Sequence, residues 1–263
     1  MDKVPTVSDT KRNFYNHHTH PINSIYRRVV EELMVEMHLL SVNANFRYDP
    51  IYALGVVTTF DQFMQGYQPP EDKDSIFNAL CKSIAGEPQK YRQDGESLKK
   101  STSNLATQEL VDWLKSPTPL DGSGDWLESV KAISTNSQFK YSRLFAIGLY
   151  TLLEQSDSEV VKDNESLEKV LKQLSEVFQL EENKENKMIK DLELYRGNLE
   201  KMNQAKAVLL DALEADRKKR QKRALEKKSP NSDTTAEETE TPKEETQDSA
   251  PTPEDSNSTV ENG

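Results

Sequence analysis

The chain contains a single cysteine, Cys81, which excludes an intramolecular disulfide and argues against a cysteine-ligated metal site within one chain. Nine glycines in 263 residues are few for a β-rich fold with many tight turns. No window approaches the ~18–20 uncharged apolar residues that span a bilayer, so any membrane association is expected to be peripheral or mediated by a partner. The opening residues lack the apolar run of a secretory signal. They are also too short and too acidic, ahead of the first folded pattern, for an organelle transit peptide. GxGxxG, the P-loop, GxSxG, HExxH and CxxC are all missing, which removes the recognisable routes to nucleotide, acyl-transfer, zinc and redox chemistry. A non-enzymatic protein without a cofactor is the expectation.

What remains is helix-forming. Hydrophobic residues make up 34% and charged residues 30%, with a mean hydropathy of -0.81. Globular domains run about 45–50% apolar, so part of this chain is expected to stay outside any core. The net charge of -11 is concentrated at one end: residues 229–263 hold ten acidic residues and one lysine, leaving -2 for residues 1–228. A nearly neutral body carries no general nucleic-acid footprint.

The segment up to His20 is polar, then dense in aromatics and histidine. The first strong helix is predicted to start at Pro21, whose fixed φ suits a first helical position. It carries Ile22, Ile25, Tyr26, Val29, Val30, Leu33, Met34 and Met37 on one face. Asp49-Pro50 reads as a cap and first residue of a second helix, stopped near Met64 by Gly66. A third helix around Ile76–Ile84 ends at Gly86, and weaker ones follow at 88–100 and 107–115. The Pro/Gly/Ser-rich stretch 116–124 is a loop, and a short helix runs from Asp125 to about Thr135. Residues 139–153 (FKYSRLFAIGLYTLL) are apolar on most sides from Leu144 onward, the pattern of a central, buried helix.

Leu167, Val170, Leu171, Leu174, Val177 and Phe178 form one more amphipathic helix. Met188, Leu192, Tyr195, Leu199, Met202, Leu209 and Leu213 then recur on alternating four- and three-residue steps, with Lys206 filling the one gap. That period predicts a long helix with a coiled-coil seam, whose occupant is the chain's own domain, a second chain or a partner. The expected organisation is all-α: a polar N-terminal segment (1–20), a helical bundle (21–180), a long coiled-coil helix with a basic end (181–228) and a disordered acidic tail (229–263).

Several residue sets invite chemistry. His17, His18 and His20 could chelate a metal, but the segment supplies no opposing ligands, so a surface or interface role is assigned. Glu32, Glu36 and His38 fall short of a di-iron Glu-x-x-His pair because position 35 is Val35. Tyr48, Tyr52, Phe60, Phe63 and Tyr67 read as core packing, with a ligand pocket as the alternative. Trp113 and Trp126 are expected to pin the Pro/Gly loop to the body. The basic run Arg217, Lys218, Lys219, Arg220, Lys222 and Arg223 suits either a helix C-terminus or contact with anionic headgroups or a partner.

Five blocks carry a family resemblance: residues 6–14 (TVSDTKRNF), 21–40 (PINSIYRRVVEELMVEMHLL), 49–60 (DPIYALGVVTTF), 63–67 (FMQGY) and 141–149 (YSRLFAIGL). Over roughly Thr6 to Leu213 the chain resembles the thylakoid formation protein family, in its cyanobacterial form. The resemblance implies an all-helical protein, placed peripherally at the cytoplasmic face of thylakoid membranes and partly soluble. It also implies a role in photosystem II assembly and repair, linked to the FtsH proteases that remove damaged reaction-centre subunits. No catalytic residues come with it. The expected partners are therefore FtsH complexes, photosystem II assembly intermediates and the thylakoid surface, with no nucleic acid. Two contact surfaces are predicted: the polar face of the first strong helix, with Arg27, Arg28, Glu31 and Glu32, and the basic end of the long helix. The runner-up is a ligand- or pigment-binding helical protein using the aromatic set near Tyr52 and Phe63.

Overall fold

The computed structural model describes residues 4–136, 138–180 and 182–228, and all regular structure among them is helical. The helices are α1 (Val7–His17), α2 (Ser24–Ser41), α3 (Pro50–Phe63), α4 (Glu71–Ser83), α5 (Pro88–Ser101), α6 (Thr107–Lys115), α7 (Leu127–Thr135), α8 (Arg143–Ser156), α9 (Ser158–Lys162), α10 (Asn164–Val177) and α11 (Glu182–Lys228). This is the all-α class expected from composition and periodicity. The acidic segment 229–263 lies outside the described residues. The chain divides into two compact units, Met1–Glu214 and Ala215–Gly263.

The first unit is built around α3 and α8. Asp49 caps α3 by accepting the Tyr52 N–H at 2.8 Å, with Pro50 opening the helix as predicted. Ser142 does the same for α8 through the Phe145 N–H at 3.1 Å. Every residue of α8 from Leu144 to Leu153 is buried, as its apolar run predicts, and α3 buries Ile51, Tyr52, Leu54, Val56, Phe60 and Phe63. The two helices touch backbone to backbone through a reciprocal pair of glycines. A methyl at Gly55 would lie 2.7 Å from the Leu144 carbonyl carbon and closer still to its oxygen; one at Gly148 would lie 2.9 Å from the Ile51 carbonyl carbon.

The predicted aromatic set is mainly core: Tyr52, Phe60, Phe63 and Tyr67 are buried, while Tyr48 is half-buried and donates to Asp94 at 2.8 Å. Both tryptophans pin the Pro/Gly loop as expected. Trp113 donates to the Thr118 carbonyl at 2.9 Å, and Trp126 to Ser97 Oγ at 3.0 Å.

The structure differs from the sequence reading at its start. A helix, α1, occupies part of the segment read as polar, opened by a capping box. The Asp9 N–H donates to Thr6 Oγ1 at 3.2 Å and the Thr6 N–H to Asp9 Oδ2 at 3.0 Å. Only Thr10 and Phe14 of α1 are buried, one turn apart, which is too narrow a stripe to register as apolar periodicity. α2 starts at Ser24 and not at Pro21, because the Asn23 side chain caps it by accepting the Ile25 N–H at 3.2 Å. At the end of α4 the chain turns through Ala85 (φ +58°), one residue ahead of the predicted Gly86.

Histidines secure α1 and the loop after it. Thr10 Oγ1 lies 2.8 Å from His38 Nδ1, His18 Nδ1 2.9 Å from Ser75 Oγ, and His20 Nδ1 2.9 Å from Asp72 Oδ1. His18 is buried and so departs from the surface role expected of it. Burial holds its imidazole below the ordinary histidine value, against the pull of the Asp72 carboxylate. The unfolded chain therefore binds that proton more readily, and His18 stabilises the fold fully above pH ~6.5, losing the contribution as pH falls through that value. His18→Asn is expected to flatten this slope in urea unfolding between pH 7.5 and 5.5. Comparing it with the parent cancels other groups, including the buried Asp49, whose carboxyl is pushed up to about 7 and so slopes the other way.

Candidate partner-binding groove

α2 turns Tyr26, Val30, Leu33, Met34 and Met37 inward, which leaves Arg28, Glu31, Glu32, Val35 and Leu39 on its outer side. α11 applies the first half of its seam to the first unit: Met188, Leu192, Tyr195 and Met202 are buried and Leu199 is half-buried against the core. This part of the coiled-coil pattern is thus occupied by the chain's own domain. The register gap at Lys206 marks where that use ends. Its ammonium lies 5.6 Å from the Tyr26 ring centroid, and burial lowers its pKa. Beyond it Val208, Leu210 and Leu213 are 70%, 61% and 58% exposed.

Between α2 and α11 runs a groove. One stretch of about 820 Å³ is lined by Val35, Leu39 and Leu40 of α2, Tyr141 to Arg143, and Asp191, Leu194 and Asn198 of α11. A second, about 360 Å³, is lined by Ile25, Val29, Phe63, Ile147, Tyr195 and Met202, and shares Arg28, Glu32, Arg143 and Asn198 with the first. Val35, Leu39 and Leu194 are 37%, 57% and 49% exposed there, so apolar side chains on both walls face water.

The floor is polar and closed. Arg143 donates to Glu36 Oε2 through Nη2 at 2.6 Å and Nε at 3.1 Å. Burial pushes the Glu36 carboxyl above its ordinary value even though the Arg143 guanidinium opposes the shift. Tyr141 donates to Asp191 Oδ2 at 2.9 Å, tying α11 to the segment that leads into α8.

The predicted α2 face is only partly assembled here. Arg28 and Glu32 pair at 2.9 Å on the rim, and Glu31, also on the groove, takes the Lys11 ammonium at 2.9 Å. Arg27 is exposed but lines neither stretch. The basic residues Arg217, Lys218, Lys219, Arg220, Lys222 and Arg223 belong to the second unit, where all six are exposed and Arg220 pairs with Asp216 at 2.8 Å. The sequence reading missed Val35, Leu39, Leu194 and the Glu36–Arg143 floor. A signal existed for one wall: Val35 and Leu39, four residues apart, are apolar yet fall outside the core face of α2.

The family model for thylakoid formation protein matches residues 6–224. The chain belongs to the thylakoid formation protein family. It is 57% identical over 230 residues to Protein Thf1 of Nostoc punctiforme, covering 88% of this chain and 97% of that one. With Protein Thf1 of Gloeothece citriformis it shares 56% identity over 226 residues, 86% of this chain and 99% of the relative. A solved structure of Psb29 at 1.55 Å aligns with a TM-score of 0.70 at 45% identity, covering 82% of this chain and 98% of that one. Two of the blocks that carried the resemblance, 21–40 and 141–149, hold most of α2 and the start of α8, one wall and the floor of the groove. No helix among the described residues is long and apolar enough to cross a membrane.

Proposed function

We propose that this protein is a non-enzymatic factor in thylakoid membrane biogenesis and photosystem II assembly and repair. It acts at the cytoplasmic face of the thylakoid membrane, peripherally, through contacts with FtsH protease complexes and photosystem II assembly intermediates. The observation that carries this reading is the groove: exposed Val35, Leu39 and Leu194 on two helical walls, rimmed by charge, form a surface suited to another protein's helix. The name of its family, thylakoid formation protein, supplies the thylakoid setting. The experiment is a mild-detergent pull-down from thylakoid membranes with crosslinking mass spectrometry. Crosslinks from the rim lysines Lys187 and Lys201 to an FtsH subunit or a photosystem II assembly intermediate are expected. Recovery of neither, from membranes rich in both, would sink the reading.

The basic end of α11 is the second contact in this account. Replacing its six basic residues by glutamine is expected to cut recovery of membrane or partner by at least about tenfold at low salt, since each surface cation contributes about 1 kcal/mol at an anionic surface and tenfold needs only about 1.4 kcal/mol. Far-ultraviolet dichroism should be unchanged. Full recovery would remove the cluster from the account.

One observation favours a second reading, a bound apolar ligand or pigment: the 360 Å³ stretch lined by Phe63 and Tyr195. Tyr52 does not border it. Native mass spectrometry of the protein purified from its own cells decides this, a co-purified mass being required.

A further inference from the structure

We propose that a pocket beside the first turns of α11 binds a phosphate group. The pocket holds about 300 Å³ and draws its polar lining from three separate segments: Asn45 after α2, Gln138 and Lys140 before α8, and Lys184 and Lys187 in α11. Three lysines and two side-chain amides thus line one small volume, with no carboxylate among the lining residues. Asp191, one turn beyond Lys187 on α11, lines the adjoining groove, which Lys140 and Lys187 also border, and it accepts from the Tyr141 hydroxyl; Glu185, between the two α11 lysines, lines neither volume and accepts from Ser175 Oγ at 3.3 Å.

The inference rests on Lys140 and Lys187. Lys184 already has an interaction partner of its own. Neither Lys140 nor Lys187 has an ion-pair partner among the described residues, and Lys187 leans on the Tyr141 ring, its ammonium 5.7 Å from the centroid. The ammonium groups of Lys140 and Lys187 repel one another, and an oxyanion placed between them adds an attraction to each. Lysine ammoniums on flexible stems suit a phosphate as point charges, and side-chain amides add neutral donors. Inorganic phosphate carries up to two charges near neutral pH, spread over a tetrahedron of oxygens, and so offers more acceptors to this donor set than a single carboxylate. The proposal is independent of the partner-protein reading and would survive its failure.

Free phosphate and the monoanionic phosphodiester of a phospholipid headgroup share the phosphate oxyanion, and two assays on the full-length protein separate them. The first follows backbone amide shifts of 15N-labelled protein on titration with inorganic phosphate, against chloride at matched ionic strength. The second is flotation with phosphatidylcholine vesicles with or without phosphatidylglycerol, in a chain whose six basic residues at 217–223 are glutamine, so that the α11 end does not mask the pocket. Both are repeated with Lys140→Gln/Lys187→Gln and with Lys140→Gln alone, surface changes that should leave the fold intact. Phosphate-specific shifts centred on 138–141 and 184–187, weakened about tenfold or more in the double variant, support a free-anion site. No response to phosphate, with flotation that requires phosphatidylglycerol and both lysines, supports a headgroup site. Neither response, or binding that the double variant retains, overturns the proposal.

Discussion

Replacing Gly55 or Gly148 by alanine is expected to destabilise the protein by about 3–5 kcal/mol, at the upper end of what single substitutions do. At each position the added methyl meets a backbone carbonyl on the opposite helix, not the end of a movable side chain. α3 and α8 would have to separate, and both are buried along nearly their whole length, so the separation would strip contacts on every side. A domain of this size has about 5–15 kcal/mol in total. The melting temperature should fall by roughly 10 °C, at the 2–4 °C per kcal/mol typical of this length. Gly197→Ala is the control. Nothing lies within 4 Å of its added methyl, and it sits inside α11, so it should stabilise the helix by about 0.5–1 kcal/mol. Urea unfolding followed by circular dichroism reads all three. A loss below ~1 kcal/mol at both core glycines would mean the two central helices are not packed this closely.

The second large effect is expected at the groove floor. Arg143→Met removes the partner of Glu36 and leaves a carboxylate that burial already disfavours. The side chains are 30% and 18% exposed, so the loss at pH 7.5 should fall below that of a fully buried pair, at about 2–3 kcal/mol. Its pH dependence is diagnostic. Burial raises the Glu36 pKa above its unfolded value, and removing Arg143 raises it further, so the folded variant takes up a proton that the unfolded chain does not. Stability of the variant should therefore recover as pH falls from 7.5 toward the unfolded value of 4.5. Arg143→Met/Glu36→Leu should regain most of the loss at neutral pH. A loss that is independent of pH, or that persists in the double variant, would show that Arg143 acts by packing alone.

The central helices could be read from the chain. Asp49-Pro50 and the unbroken apolar run after Leu144 each state a local rule that the tertiary structure then obeys. The same is true of the register gap at Lys206, where the seam leaves the core. Two features were hidden for different reasons. α1 buries Thr10 and Phe14, a stripe too narrow for periodicity to detect, and its docking depends on histidine contacts to α2 and α4. The groove needs α2 and α11 side by side, and its floor joins Glu36 to Arg143 across 107 positions, a distance no local pattern records. The predicted polar face lay on the correct helix, but it named the charged rim and passed over Val35 and Leu39 beside it. Gly55 and Gly148 sat in view within the two most apolar helices. What could not be read was that each faces the other helix's backbone.

The groove as a partner-binding surface is the central claim. Its most direct test is the thylakoid pull-down with Leu39→Asp/Leu194→Asp beside the unaltered chain. Both leucines are about half exposed on opposite walls, so the fold should hold, as an unchanged melting temperature would verify. The account predicts at least about a tenfold drop in recovered FtsH or photosystem II assembly intermediates, as expected when two apolar anchors of an interface are replaced by charge. Equal recovery by a variant of unchanged stability would contradict it and place the contact elsewhere on the molecule.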